Sequence, residues 1–166
     1  ASDERRTLRA LASLARPRAL RGPPEPFLGV AERARTSLRS APPTLAIALL
    51  RGIGQVAMTA GRFAEAVSAY EQAIDVARAS GPVELVALFE SRIMLLCHYR
   101  GDEPSATAAR ARTIEHLRSG ASDEIRGRVH EALGILALRR GGHAEARASL
   151  EIALESARRV GLSDLE

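Results

Sequence analysis

Apolar residues recur every three or four positions along most of the chain, which is the spacing that places side chains on one face of an α-helix. Between residues 44 and 81 there are two such runs, and Gly61 lies between them. Gly81 and Pro82 follow the second run, and these residue types commonly end one helix and begin the next. The pattern therefore predicts a pair of helices joined by a tight turn. Its apolar positions are Ile47, Leu50, Ile53, Ala57, Ala66, Val67, Tyr70, Ala73, Ile74 and Ala77.

The same pattern returns later in the chain with a period of 40 residues. Gly61, Gly101 and Gly141 are 40 residues apart, and Gly81 and Gly161 are 80 apart. Such self-similarity indicates a repeat protein. We predict helix pairs at 44–81, 82–121 and 122–161, of which the middle pair is divergent. The outer units match at Gly54 and Gly134, Ala57 and Ala137, Glu65 and Glu145, Ala66 and Ala146, and Ala73 and Ala153.

The two ends of the chain are less regular. Leu8, Leu11 and Leu14 indicate one helix in residues 1–43, and apolar residues from Phe27 to Leu38 indicate a second. A proline-rich connection lies between them, so we predict a divergent N-terminal hairpin. Residues 162–166 stand where another unit would begin, which suggests a truncated further unit of a longer protein.

Composition favours helices packed closely on helices. Hydrophobic residues make up 46% of the chain but aromatic residues only 3%, whereas sheets favour aromatic and β-branched residues. Glycine inside a helix costs about 1 kcal/mol relative to alanine. We therefore expect Gly54 opposite Ala66, and Gly134 opposite Ala146, to allow two backbones to approach. A single hairpin cannot bury its apolar face, so neighbouring units must stack.

Charge and cysteine content limit the possible functions. The net charge of +4 comes from residues 1–43, which hold nine arginines and four acidic residues, while the later units are close to neutral. A groove that follows nucleic acid would need basic charge in every unit. Cys97 is the single cysteine, and no apolar run reaches the length of a membrane span. These features predict a cytoplasmic location without a disulfide.

These residues together resemble the tetratricopeptide repeat (TPR) family. The match includes Gly54, the turn Gly61-Arg62-Phe63, and Ala66, Tyr70 and Ala73. The last unit matches at Gly134, Gly141, Ala146, Leu150 and Ala153, while the middle unit carries Met94, Glu103, Arg110 and Thr113 at signature positions. The resemblance covers residues 44–161. It implies an all-α fold, a right-handed α-solenoid of about four antiparallel helix hairpins.

The period of 40 residues exceeds the family's usual length of about 34. Such extended units look like the helical-repeat regions of large bacterial signal-transducing transcription activators. That likeness implies a sensor or relay segment of a larger regulator. The chain itself has no lysine and no phosphate-binding loop, and its four histidines lack the spacing of a helical metal site. We therefore expect a non-catalytic scaffold without cofactor or metal.

In the resembled fold, the first helices of successive hairpins line a concave groove that binds a protein or a peptide. Some members clamp a terminal carboxylate, and Arg51, Gln55, Arg92 and Arg128 stand near those positions, although Ala132 replaces the last arginine. Three alternatives stay open: a small-molecule receptor, RNA binding through residues 1–43, and self-association over an apolar surface. The predicted groove residues are Arg51, Gln55, Met58, Arg92, Leu95, His98, Tyr99, Arg128, Glu131 and Arg139.

Overall fold

The structure is a computed structural model that describes residues 6–13 and 23–161. These residues form helices and no strands, so the predicted all-α class is confirmed. Residues 6–13 are helical and are called α1. The other helices are α2 (Glu25–Ala34), a 3-10 helix (Arg35–Ser40), α3 (Pro43–Thr59), α4 (Phe63–Ser80), α5 (Glu84–Tyr99), α6 (Glu103–Arg118), α7 (Asp123–Arg139) and α8 (His143–Val160).

The chain divides into two compact units, Ala1–Pro82 and Val83–Glu166. In the first unit, α3 packs against α4 and α2. Leu8 and Leu11 are buried on α1, as their spacing suggests, whereas Leu14 and most of the proline-rich connection lie outside the described residues. The predicted helix from Phe27 to Leu38 is interrupted, because α2 ends at Ala34 and a 3-10 helix follows.

The second unit consists of α5 to α8. In it, α5 packs against both α6 and α7, and α7 packs against α8. Asp102 begins α6 by accepting a hydrogen bond from the backbone amide of Ser105 at 3.1 Å. The side-chain hydrogen bond with Ser105, and next the backbone one, lower the pKa of Asp102. Ser122 is the N-cap of α7, and its hydroxyl oxygen accepts a hydrogen bond from the backbone amide of Ile125.

The same type of turn joins the two helices in each of three pairs: α3 and α4, α5 and α6, and α7 and α8. Gly61, Gly101 and Gly141 have φ values of 71°, 75° and 78°, in the left-handed region that favours glycine. In each turn, the amide of the next residue donates to the carbonyl oxygen five positions earlier, at 2.8, 2.9 and 2.9 Å. This is the Schellman motif, which ends a helix and redirects the chain. The 40-residue period therefore extends to the backbone geometry of the turns.

The close helix approach at Gly54 and Gly134 is present, but its main partners differ from those predicted. A Cβ atom at Gly54 would lie 2.6 Å from the Tyr70 ring, whose atoms are the nearest to it. At Gly134 it would lie 2.7 Å from Leu150, with the Ala146 carbonyl oxygen further away at 3.3 Å. Tyr70 and Leu150 are 80 residues apart, like the glycines. Each glycine thus makes room for a large side chain of the second helix.

The middle hairpin reverses this division of volume. Met94 occupies the position equivalent to the two glycines and is fully buried. The equivalent of Tyr70 and Leu150 is Arg110, whose guanidinium pairs with Glu145 of α8 at 2.5 Å. The large apolar side chain therefore comes from the first helix, while the second helix supplies a side chain that turns outward.

Candidate functional site

Helices α5 and α7 lie side by side in the second unit, and they bring five of the predicted groove residues together. We call this surface the α5/α7 face and define it by Arg92, His98, Tyr99, Glu131 and Arg139. The first three residues come from α5 and the other two from α7. Tyr99 is about two helical turns after Arg92, and Arg139 about two turns after Glu131, so these residues follow the length of both helices.

The first contact across this face is an ion pair. Arg92 Nη2 lies 3.7 Å from Glu131 Oε2, and both side chains are partly exposed. Glu131 Oε2 is itself buried and accepts no hydrogen bond. A distance of 3.7 Å is too long for a hydrogen bond. Glu131 is therefore only loosely paired, and the exposed 28% of its side chain can meet an incoming donor.

The second contact is a cation–π pair at the carboxyl ends of the two helices. The guanidinium carbon of Arg139 lies 5.5 Å from the centroid of the Tyr99 ring, and that residue is 37% exposed. The centroid of the His98 ring is 6.2 Å from that of Tyr99. An exposed cation–π pair contributes about 0.5–1 kcal/mol. It holds an aromatic ring and a cation in fixed positions at the surface.

Beside this face, Glu103 joins the two hairpins of the second unit. Its carboxylate is hydrogen-bonded to His98 and also accepts from Arg140. The hydrogen bond with His98, and next that with Arg140, lower the pKa of Glu103. Ser122 adds a further link, because its amide donates to Glu84 Oε2 at 2.8 Å. These contacts fix α7 against α5 from one end to the other.

Sequence reasoning missed these polar links between hairpins. Their members are opposite in charge and separated by about one repeat: Arg92 and Glu131, Glu103 and Arg140, and Arg110 and Glu145. A search for opposite charges separated by about one repeat would have found them, because equivalent faces of neighbouring units lie next to each other in a stacked repeat.

Glu90 is a further charged residue that the sequence analysis did not identify. It is 4% exposed and lies on a face of α5 whose residues three and four positions away are apolar: Val86, Ala87, Ile93 and Met94. Arg112 of α6 donates to Glu90 Oε1 at 2.9 Å. Buried carboxylates need such partners. The interruption of an apolar helix face by one acid was the signal available in the sequence.

The remaining predicted groove residues do not join the α5/α7 face. Leu95 is only 3% exposed, so the prediction that it offers a contact surface is wrong, and it belongs to the core. Arg51, Gln55 and Met58 lie on α3 in the first unit. Arg51 is exposed, while Gln55 and Met58 are partly buried.

Three positions of the predicted carboxylate clamp lie in the second unit. Arg128 of α7 is partly buried and has no ion pair within the described part of the chain. Ala132 is fully buried, so the position of the clamp's final arginine lies in the core. Arg92 is engaged with Glu131. Arg128 and Arg139 are therefore the cations of this surface that are open to an anionic group.

A second feature is a hollow of about 490 Å³ in the first unit. Its lining contains three acidic residues, one arginine and few apolar side chains, and Arg62 pairs with Glu65 at 2.6 Å. It therefore differs from the apolar pockets that usually hold small molecules. The lining residues are Glu25, Leu28, Gly29, Glu32, Ile53, Arg62, Glu65 and Ser68.

The described residues offer few other groups for chemistry. In residues 6–13 and 23–161, no three or more His, Cys, Asp or Glu side chains are grouped so as to hold a metal ion. Cys97 is buried. His130 is partly buried, and this burial, with the nearby charge of Arg126, lowers its pKa.

Comparison of the chain with protein-family models, with curated proteins and with solved structures gives no match. Membership of the TPR family therefore stays a prediction that rests on the quoted residues. None of the helices in the described part of the chain has the length and apolar character needed to cross a bilayer.

Proposed function

We propose that this chain is a non-catalytic, TPR-like scaffold that binds a protein or a peptide through the first helices of its hairpins. The observation that carries the proposal is the α5/α7 face. It holds an aromatic ring, two arginines and an under-satisfied carboxylate in fixed positions on two adjoining helices. Interfaces between proteins are enriched in tyrosine and arginine of this kind.

The arrangement of helices supports the extension to a repeat scaffold. The same glycine turn closes three helix pairs, and the first helices α5 and α7 pack on each other. In a right-handed solenoid of about four hairpins, such first helices would form one continuous concave surface. Arg51, Gln55 and Met58 lie on α3, the first helix of the hairpin in the other unit.

The chemistry of the face favours a partner segment with an acidic side chain or a terminal carboxylate. Arg128 and Arg139 have no acidic partner within the described residues, and Arg139 is already held in place by Tyr99. Arginine binds carboxylates through two parallel hydrogen bonds. An incoming carboxylate would therefore meet Arg139, while Tyr99 would pack against neighbouring apolar groups.

The test is selection of peptides from a random display library, followed by affinity measurements with the 166-residue chain. We expect Tyr99→Ala and Arg139→Ala each to lower the affinity for the selected peptide by about 10-fold or more, as for a central interface residue. Arg147→Ala is the matched control, because Arg147 is exposed on α8 and outside the face. Equal affinities for all three variants would exclude this face as the binding site.

A small-molecule receptor is the second candidate, and the hollow in the first unit is the observation that favours it. Its acidic lining suits a small organic amine better than an apolar inducer. Thermal denaturation with a panel of amines tests this candidate. A Tm increase that Glu25→Gln abolishes would support it, and an unchanged Tm throughout would exclude it.

RNA binding through residues 1–43 is the least favoured alternative, since the later units are close to neutral and a groove that follows nucleic acid would need basic charge in every unit. A steep loss of RNA affinity with salt, removed by deletion of residues 1–43, would be needed to support it. The role of a sensor or relay in a larger bacterial regulator is tested by the complete reading frame. A phosphate-binding loop before these repeats and a helix-turn-helix after them would support that role.

A further inference from the structure

Two leucines of the α7/α8 hairpin are exposed where the preceding hairpin carries polar residues. Leu138 is 53% exposed and Leu150 is 40% exposed. The residues 40 positions earlier are His98 and Arg110, and each of these pairs with a carboxylate. In the α3/α4 hairpin the same positions hold Met58 and the buried Tyr70. The two leucines of the α7/α8 hairpin are therefore exposed apolar surface of the kind that another molecule covers.

The two leucines lie on the same side of the hairpin. Leu150 lies against Gly134, which is one helical turn before Leu138 on α7. Ile135 is partly buried and shares a helix face with Glu131 and Leu138. We call this surface the α7 patch and define it by Glu131, Ile135, Leu138, Arg139 and Leu150.

The patch carries an acceptor and a donor that the rest of the described chain leaves partly unused. Glu131 is only loosely paired, since its Oε2 lies 3.7 Å from Arg92 Nη2, and its side chain is 28% exposed. The guanidinium of Arg139 lies over the Tyr99 ring and has no acidic partner among the described residues. Both groups could therefore gain a charged hydrogen bond from an added surface.

We propose that a second copy of this chain covers the α7 patch, with the two α7 helices antiparallel and crossing at Ile135. In that arrangement the residues four positions before and after Ile135 face each other. Glu131 of each copy then meets Arg139 of the other, and Ile135, Leu138 and Leu150 bury one another. The order of the charges along α7 makes the patch complementary to itself only when the two α7 helices run antiparallel, because parallel α7 helices would place like charges together.

The resulting dimer is isologous, since the same patch serves both copies. This inference does not rest on the proposed function, although Arg139 and Glu131 belong to both surfaces. A peptide partner of the α5/α7 face would therefore compete with the second copy. The closing experiment measures mass rather than peptide affinity, so the two proposals succeed or fail separately.

Sedimentation of the 166-residue chain between about 1 and 100 µM tests the proposal, because this range covers dimers of moderate affinity. We expect a dimer that Leu138→Glu weakens at least about 100-fold, since both copies lose a buried leucine. Val83→Glu is the matched control, because Val83 is 58% exposed and lies outside the patch. A monomer at every concentration would overturn the proposal, as would a Leu138→Glu dimer as tight as the original.

An exchange of charges tests the antiparallel arrangement. Glu131→Arg and Arg139→Glu should each weaken the dimer by about 10-fold or more, as for close charge pairs in other interfaces. The double variant should recover to within about 3-fold of the original chain, because reversed charges again face each other. Residues 131 and 139 are two helical turns apart in one copy and cannot pair internally. Far-UV circular dichroism verifies each fold, and a folded double variant without recovery would overturn the arrangement.

Discussion

Replacing Gly54 with alanine tests the close approach between α3 and α4. In a helix with free space, glycine to alanine stabilises by about 1 kcal/mol. At Gly54, however, the new Cβ atom would lie 2.6 Å from two carbon atoms of the Tyr70 ring. Non-bonded carbon atoms normally lie about 3.5–4.0 Å apart. The ring would therefore have to move by about 1 Å within a core where Tyr70 is almost completely buried.

The expected result follows from these two opposing terms. Excess volume in a packed core costs about 1–3 kcal/mol, which outweighs the gain in helix propensity. We expect Gly54→Ala to lower the free energy of unfolding by about 1 kcal/mol. The matched control is Gly29→Ala on α2, where the new Cβ atom would lie 3.9 Å from its nearest neighbour, Nη1 at the flexible end of the Arg33 side chain. That variant should gain up to about 1 kcal/mol.

Urea denaturation followed by circular dichroism provides the measurement, and a double-mutant cycle with Tyr70→Ala isolates the contact. Without the tyrosine ring, Gly54→Ala should become stabilising, so its sign should change between the two backgrounds. A Gly54→Ala variant that is more stable than the original chain in both backgrounds would refute the reasoning. The helix approach would then not depend on the absence of a side chain at position 54.

Three further predictions concern the second unit. Gly101→Ala should destabilise by about 1 kcal/mol through backbone strain alone, since nothing lies near its Cβ position; urea denaturation measures this. Arg112→Ala should lower the free energy of unfolding by about 1–3 kcal/mol, because it removes the arginine that donates to the buried carboxylate of Glu90. Arg110→Ala should lower it by at most about 1 kcal/mol, because Arg110 pairs with the exposed Glu145. The pKa of Asp102 is lowered in the folded chain. Its stabilising effect is therefore complete at pH values above the ordinary aspartate pKa of about 4, and it is lost as the pH falls through the lowered pKa. Asp102→Asn should flatten this part of the stability–pH profile.

Much of the fold could be predicted because its signals are local. The spacing of apolar residues located the helices from α3 to α8, and the glycines at 61, 101 and 141 located the turns between paired helices. Gly81 was less informative, because its backbone is extended and its role is close contact with Ile47 and Ala77. The break between α2 and the 3-10 helix also had no clear local signal.

The candidate site was harder to predict because it depends on contacts between helices. Periodicity alone placed Leu95 with the surface residues, although the packing of α5 buries it. The pairing of Arg92 with Glu131, and of Tyr99 with Arg139, depends on how far α7 is shifted along α5. A helical pattern gives the direction of a side chain around its own axis but not the neighbour it meets.

The reversed volumes of the middle hairpin have a consequence for how these repeats can change in sequence. At this helix contact one helix supplies a large side chain, and the other supplies either no side chain or one that turns outward. Copying Gly54 alone into position 94 would leave a cavity, and copying Tyr70 alone into position 110 would crowd Met94. The pair must be exchanged together, so positions 94 and 110 are expected to co-vary among natural variants of this chain.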